Sequence, residues 1–402
     1  MAIARLGRVR QLRDGVWSVP SQTHKGAYLV DTAGDRPACV CPDFEDNGNA
    51  EGFDCKHITA VRITAGEIEA PAQVKDEKPG KRPTYKQDWG AYYLAQTRER
   101  EHVETMLRDL CRGIQQPVSK RGHPRKPLAD VVFAAVMRAY SGLSSRRCAS
   151  DVRAAKEAGH TSSMIAPSTL VTYLDDPKLT DLLRVLIRES AAPLAEVETT
   201  VAIDSSGFST NTYSRWFDHK WGKERKRQKW VTCHIMCGTT THVITDALVT
   251  TGNAGDAPQL PELLTNTAER FDVANVCADK AYLSHRNFDE IEAVGAVPYI
   301  PFKVGSIGEG SEMWRKMYGL FVYKNDEFRK VYHARSNVET AFSMIKRKFG
   351  ASVRAKKFTA QRNEVLCKVL AHNLCVLTMA TYELGIAVEF WGSTHEESQH
   401  VH

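Results

Sequence analysis

The sequence predicts an α/β domain in its C-terminal half, a mixed sheet with flanking helices, preceded by a helical region and a small N-terminal unit. From residue 199 onward, strand-like runs replace helical periodicity: TTVAID, WVTCHIMCG and THVITDALVTTG, the last two separated by a GTTT turn typical of a hairpin. A helix-like segment then leads to a further strand-like run, VANVCAD. A hairpin followed by crossover helices indicates a mixed sheet with helices packed on it.

The chain divides into five predicted segments: 1–70, a small unit; 71–127, a linker and a helix; 128–196, a helical region; 197–385, the α/β domain; and 386–402, a C-terminal tail. Residues 71–90 are predicted to be linker because they combine proline, glycine and charge without a period. In the helical region, Gly142 is predicted to end one helix and Ser168 to cap another. Helices in this arrangement occur in helix-turn-helix DNA-binding domains and also in plain helical bundles. The sequence leaves both alternatives open.

Composition and charge narrow the class of protein. Hydrophobic residues make up 42% and charged residues 25% of the 402 residues, which argues against wholesale disorder, and the net charge is only +6. Arginines such as Arg5 and Arg8 interrupt any apolar N-terminal run, and no stretch is predicted to be long enough to cross a bilayer. We therefore expect a cytoplasmic protein. The cysteines, 10 in all and mostly scattered, argue against a disulfide framework.

The N-terminal unit carries a predicted metal site. Two short β-like runs, GVWSVP and AYLV, precede four residues of ligand type in a C-x-C…C-x-H pattern: Cys39, Cys41, Cys55 and His57. Three thiolates and one imidazole form a closed tetrahedral zinc site, so we expect one structural Zn²⁺. The pattern is similar to the SWIM zinc-binding module. Reduced structural cysteines that happen to be adjacent are the alternative, and an acidic loop between the ligand pairs weighs against DNA binding on that face.

Residues 332–350, YHARSNVETAFSMIKRKFG, are predicted to form one helix that carries polar chemistry on one face. At about 100° per residue, Tyr332, Arg335, Glu339 and Lys346 share a narrow stripe beside an apolar face. A carboxylate between an Arg and a Lys suits a phosphodiester held beside a metal ion. The alternative is a solvated helix in which Ser336 and Glu339 form an ordinary capping box.

The spacing Tyr-x2-Arg-x3-Glu-x6-Lys resembles the Y-R-E-K signature of insertion-sequence transposases with a DDE catalytic domain. The block DKAYLSHRNFDEIEAVGAVPYIPFK, beginning at Asp279, resembles the second-aspartate block of that family, and VAIDSSGF around Asp204 resembles the first. The resemblance implies a ribonuclease-H-like catalytic domain. It also implies that Asp204, Asp279 and Glu339 hold two Mg²⁺ (or Mn²⁺) ions for phosphodiester cleavage.

Both aspartates are predicted to end strands, so that their side chains project from one edge of the sheet. Arg335 and Lys346 would hold phosphates beside the cut, and Tyr332 would stack on or hydrogen-bond to the terminal nucleotide. Two secondary candidates are His234, on a central strand, and Asp256, in GNAGDAP, although a structural role is the better interpretation of both. Residues 304–330 show no clear period and are predicted to be an inserted loop or small subdomain.

A basic segment with interleaved tryptophans lies between the first two strands of the α/β domain. Its DNA-binding candidates are Trp216, Trp221, Arg225, Lys226 and Arg227, and it ends at Trp230. Cations engage phosphates while flat rings stack on unpaired bases, so we predict contact with DNA ends. The alternative is a solvated basic hairpin. A second basic cluster extends from Lys346 to Lys357.

Together these features predict the transposase of an insertion sequence, which binds terminal inverted repeats and catalyses metal-dependent DNA cleavage and strand transfer. We expect a homodimer in the active complex, associated with the nucleoid when bound to DNA. Two alternatives remain at this stage: a stand-alone nuclease on the same fold, and a non-catalytic DNA-binding regulator derived from a transposase.

Overall fold

The structure, a computed structural model, describes residues 9–21, 26–47, 54–68, 88–117, 125–210 and 230–391. The chain forms two compact units, residues 1–86 and 87–402. The predicted basic segment with Trp216, Trp221, Arg225, Lys226 and Arg227 lies outside the described residues, as does the end of the tail.

The first unit is a small antiparallel sheet with a helix against it. Its elements are β1 (Arg10–Arg13), β2 (Val16–Pro20), β3 (Ala27–Asp31), β4 (Ala38–Cys39), α1 (Pro42–Asn47) and α2 (Lys56–Thr64), with the strands paired in chain order. The two predicted β-like runs are β2 and β3, paired in register with Trp17 opposite Val30. Ile58 and Val61 of α2 share a core with Val19 and Val30. This core is small, so other interactions have to contribute to the stability of the unit.

The second unit begins with a helical region. Its helices are α3 (Trp89–Thr97), α4 (Glu99–Arg112), α5 (Leu128–Ser141), α6 (Ala149–Glu157), α7 (Pro167–Leu174) and α8 (Pro177–Ala191). Gly142 ends α5 in the left-handed region with φ 64°, as predicted. Two predictions were wrong. The linker does not extend to residue 90, because Asp88 accepts the Ala91 N–H and caps α3. Ser168 is not a cap, because Pro167 already occupies the first helical position.

A five-stranded mixed sheet follows. Its strands are β5 (Thr200–Ser209), β6 (Trp230–Gly238), β7 (Ile244–Thr251), β8 (Asn275–Ala278) and β9 (Val297–Tyr299), in the order β7-β6-β5-β8-β9. β5, β6 and β7 are antiparallel, so the predicted hairpin is confirmed, whereas β5, β8 and β9 run parallel. This mixed sheet with flanking helices is compatible with the ribonuclease-H-like arrangement.

The helices of this part are α9 (Leu260–Ala268), α10 (His285–Ala293), α11 (Glu312–Tyr323), α12 (Asn325–Tyr332), α13 (Ser336–Phe349) and α14 (Phe358–Glu383). α14 corrects the prediction that no stretch is long enough to cross a bilayer, since its 26 residues meet that criterion by length and composition. However, 83% of its most apolar window is buried within the fold, where it packs against the sheet and the helical region. It therefore serves as a core helix of this unit.

Candidate active site and Cys3His cluster

Asp204 and Asp279 are brought together by the parallel pairing of β5 with β8. Ile203 of β5 lies opposite Ala278, the last residue of β8, so the next residue of each strand is an aspartate. The prediction that Asp204 ends its strand was wrong, because β5 continues to Ser209 through its pairing with β6. The two side chains still meet at one edge, because β8 stops there and leaves that edge of β5 open.

Glu339 reaches the same edge from α13. The prediction of a single helix over residues 332–350 was wrong: α12 ends at Tyr332, a 3-10 turn spans His333–Arg335, and α13 begins at Ser336. The alternative, a capping box of Ser336 and Glu339, is not formed. The Ser336 hydroxyl donates to the His333 carbonyl, and the carboxylate of Glu339 pairs with Arg335 instead.

Arg335 joins two of the three carboxylates. One guanidinium nitrogen donates to Asp204 Oδ2 at 3.3 Å, and another contacts Glu339 Oε1. Burial raises the pKa of Asp204, and the charges of Asp279 and Glu339 raise it further. The hydrogen bond from the Ser205 N–H and the charge of Arg335 lower it, but by less. The negative charge at this edge therefore exceeds what Arg335 neutralises.

The surplus charge and the donor set both suit divalent metal ions. Three carboxylates and one guanidinium leave a net charge of −2, and carboxylate oxygens are the ligands that Mg²⁺ and Mn²⁺ prefer. Asp279 uses Oδ1 to accept the Ala281 N–H at 2.7 Å, which fixes its side chain. By the chemistry of its donors the site thus suits Mg²⁺ or Mn²⁺, with Asp204, Asp279 and Glu339 as the candidate ligands.

We expect Mg²⁺ or Mn²⁺ to raise the melting temperature of the protein, because an ion that binds only the folded state stabilises it. Asp204→Asn should remove most of this increase and should itself raise the melting temperature of the metal-free protein, because it relieves carboxylate repulsion. Thermal melts with and without each ion test this, with Asp326→Asn on the exposed face of α12 as control. An unchanged metal response in Asp204→Asn would contradict the assignment.

Lys346 extends the site along β5. Its ammonium donates to the Ser206 hydroxyl at 2.6 Å, and Ser206 lies two residues beyond Asp204, on the same face of the strand. Burial lowers the pKa of Lys346. Glu339 and Lys346 are seven residues apart on α13 and therefore lie on one face of the helix, so this part of the predicted stripe is kept. Arg335 and Glu339 lie at the carboxylates, and Lys346 contacts Ser206 further along β5.

Tyr332 also lies near this edge, at the end of α12. Its ring stacks on Phe328, with 5.6 Å between centroids and 28° between planes, and its hydroxyl is half-buried. Burial raises the pKa of Tyr332, and the charge of Arg335 opposes this shift. Phe328 thus covers one face of the Tyr332 ring. A nucleotide could contact only the other face or the edge that carries the hydroxyl.

The secondary candidates form a pair behind the carboxylates. Nδ1 of the fully buried His234 lies 3.4 Å from Asp256 Oδ1, and its Nε2 is 2.8 Å from the Thr250 hydroxyl. Burial lowers the pKa of His234 and the charge of Asp256 opposes this shift, so the neutral ring is favoured. His234 Nδ1 has no hydrogen-bond partner among the described residues. Tyr282 was missed by sequence reasoning: it is 1% exposed, and its hydroxyl has no hydrogen-bond partner among the described residues. The only sequence signal was its place in DKAY.

The Cys3His cluster of the first unit is formed as predicted from spacing. The ligand atoms of Cys39, Cys41, Cys55 and His57 all lie within 4.8 Å of one another, and all four residues are buried. His57 Nδ1 is 3.8 Å from the Cys39 sulfur and 3.9 Å from that of Cys55, close to the separation of about 3.6 Å between ligands of one tetrahedral zinc. Burial raises the pKa of Cys39 and Cys55, so thiolates need a cation beside them. The cluster is compatible with zinc.

The other cysteines are buried free thiols, and part of the second basic cluster has structural partners. None of the 10 cysteines forms a disulfide, in agreement with the sequence. Lys348 pairs with Glu99, and Lys357 pairs with Asp175. Arg354 donates to the Gly142 carbonyl at 2.6 Å and remains exposed, as does Lys356.

Comparison with known families agrees with this geometry. The family model for the transposase DDE domain matches residues 196–374, a range that begins just before β5 and contains Asp204, Asp279 and Glu339. The match covers the whole mixed sheet and the helix that carries Glu339. It therefore supports a DDE transposase domain in this part of the chain.

Proposed function

We propose that this protein is the transposase of an insertion sequence, which binds the terminal inverted repeats of its element and catalyses DNA cleavage and strand transfer. The observation that carries the proposal is the convergence of Asp204, Asp279 and Glu339 at one sheet edge, where Arg335 contacts Asp204 and Glu339, within the part that matches the transposase DDE domain. Three carboxylates around one guanidinium repel phosphate unless cations neutralise them, which is what a metal-dependent phosphodiester reaction needs.

The chemistry divides between ions and side chains. Two Mg²⁺ or Mn²⁺ ions, when bound, activate the attacking oxygen and stabilise the leaving oxygen. Asp204, Asp279 and Glu339 would hold these ions. Arg335 contacts Asp204 and Glu339, and its planar fork would bind a phosphate beside the cut. Lys346 supplies a further positive charge. Water is the nucleophile for cleavage, and the freed 3′-OH attacks the target in strand transfer.

Assembly and the first unit complete the proposal. Two ends of an element must be cut in concert, so we expect a homodimer in the active complex. The Cys3His cluster holds one structural Zn²⁺ in a SWIM-like module, which contacts DNA or a protein partner. The charge of the site favours an enzyme over a DNA-binding regulator, because a regulator gains nothing from carboxylates grouped where phosphate would lie.

The test starts from the DNA on either side of the gene, which should carry terminal inverted repeats. Duplexes with these repeats should be bound more tightly than scrambled duplexes, and in Mg²⁺ they should be nicked at the repeat boundary and joined to a target plasmid. Nicking without joining would favour a stand-alone nuclease. Repeat binding without any nicking in Mg²⁺ or Mn²⁺ would overturn the catalytic proposal.

A further inference from the structure

The helical region of the second unit contains a cavity of about 380 Å³. Its walls come from the end of α4 and the residues that follow it, the start of α5, the end of α7, the first half of α8, and Trp391. None of the residues that line it lies on β5, β8 or α13, which place the three carboxylates. A volume above about 300 Å³ is in the range of cavities that hold small organic ligands.

The walls of this cavity are largely apolar. Five aliphatic side chains contribute to them: Ile114, Leu128, Leu179, Leu182 and Val185. Ile114 and Leu182 pack on the core of the unit but are only half-buried, so part of their apolar surface is left uncovered. A ligand with an apolar body would remove this surface from water, which is favourable.

Trp391 forms a rigid wall of the cavity. Its backbone has a φ of 70°, in the left-handed region that a bulky residue rarely adopts. The Trp391 N–H donates to the Glu189 carboxylate, and the indole Nε1 donates to the Leu110 carbonyl at 3.0 Å. The ring lies directly on Gly113, where a Cβ would be 2.1 Å from Trp391 Cε2. Strained backbone persists only where its surroundings hold it, and it is concentrated at functional sites such as ligand clamps, so this wall is preformed.

The exposed part of the lining is positively charged. Arg125, Lys126 and Lys178 are all exposed, and none of these three side chains has an ion pair with a described residue. Asp176 is the one acidic residue of the lining, and its Oδ1 accepts the Lys178 N–H at 2.9 Å as the cap of α8. Three cations and one carboxylate leave a net charge of +2 at the cavity.

Lys178 lies where the helix itself does not favour a cation. It is the second residue of α8, which begins at Pro177, so it stands at the positive end of the helix dipole. Its charge therefore adds to that of the helix end. Both favour an anion at this end of the cavity.

We propose that this cavity binds a small amphipathic anion, with an alkyl chain between α8 and Trp391 and a carboxylate or phosphate head group held by Lys178, Arg125 and Lys126. The head group complements the net charge of +2, and the chain covers the apolar walls. An inorganic anion would leave those walls uncovered, and a neutral alkane would leave the cations without a counterion. The site is additional to the proposed function, because it lies outside the carboxylate edge and its test needs no DNA.

Calorimetric titration of the full-length protein tests the site with three probes that share one chain length: decanoate, decyl phosphate and the neutral decanol. We expect one ligand per chain, with at least one of the two anions bound at least about tenfold more tightly than decanol, equivalent to about 1.4 kcal/mol. The tighter of the two anions identifies the head group. The same anion should raise the melting temperature, because it binds only the folded chain.

Two substitutions separate charge from shape. Lys178→Gln should weaken binding of the anions about five- to tenfold and leave decanol unchanged, because Asp176 still caps α8. Leu182→Trp should abolish binding of all three probes while the variant still melts cooperatively, because the larger side chain occupies the cavity. Lys156→Gln, which changes an exposed lysine of α6 outside the cavity, is the matched control and should bind like the wild type.

A brominated decanoate locates the chain, because bromine quenches indole fluorescence on contact. The quenching should be lost in Trp391→Phe and retained in Trp89→Phe, which removes a tryptophan of α3 outside the cavity. Equal affinity of the wild type for decanol and for both anions, or unchanged binding in Leu182→Trp, would overturn the proposal. So would the absence of measurable binding of all three probes to the wild type.

Discussion

Glu339→Gln is expected to reduce DNA cleavage by at least about a thousandfold while leaving DNA binding nearly unchanged. Gln keeps the size and helix propensity of Glu but removes a carboxylate from a set of three, and metal-assisted stabilisation of the transition state is worth several kcal/mol. The helix should persist, because Glu339 is 56% exposed and contributes no cap. Nicking of a labelled repeat duplex in Mg²⁺ measures the loss, and a gel-shift titration measures binding.

The control for this variant is Glu327→Gln, which changes an exposed glutamate on the preceding helix that pairs only with Lys324 among the described residues. It should cleave at the wild-type rate. If Glu339→Gln also cleaved at that rate, the carboxylate would not be a metal ligand and the site would have to be reassigned. A loss of binding equal to the loss of cleavage would show that the substitution disturbs the DNA surface instead.

The three carboxylates of the candidate site could be selected from the sequence, but the way they meet could not. Asp204, Asp279 and Glu339 were identified from local motifs, and the alternation of TTVAID was enough to locate β5. The extent of β5 depends on nine residue pairs with β6, a strand that begins only at Trp230. No local pattern contains that information, which is why Asp204 was placed at a strand end.

Of two further differences between sequence and structure, only one could have been recognised from local sequence. Trp314, Met317 and Phe321 have the spacing of an amphipathic helix, and the Ser311 side chain caps this helix by accepting the Trp314 N–H. Helix α11 could therefore have been predicted within residues 304–330. The break in the helix between Tyr332 and Ser336 could not have been predicted from local sequence. A 3-10 turn interrupts the helix there and allows Arg335 to reach Asp204, a contact 131 residues distant in the chain.

The bridge made by Arg335 also explains how the metal-free site remains folded. Asp204 is about four-fifths buried, and leaving its charge beside two other carboxylates would be unfavourable without a nearby cation. The guanidinium supplies that charge. Under the proposed function the same arginine would also bind phosphate, so it would have two roles where the sequence signature indicates one.

Zinc removal is expected to unfold the first unit while leaving the second intact. The core shared by β2, β3 and α2 contains few buried apolar side chains, whereas structural zinc sites contribute about 10–16 kcal/mol in zinc-finger peptides. Freshly purified reduced protein should carry about one zinc per chain. Cys55→Ser should lose it, because three ligands hold the ion far less tightly than four.

Hydrogen exchange of the full-length protein provides the decisive measurement. In Cys55→Ser, or after chelation, amides of β2, β3 and α2 should exchange at the unfolded rate, and those of β5 and β6 should keep their protection. Nicking by the second unit should persist, since its carboxylates belong to a separate compact unit. Cys148→Ser, a buried cysteine outside the cluster, should retain the zinc. Zinc content near zero in the wild type, or full protection of α2 in Cys55→Ser, would show that the cluster is four packed side chains without a metal.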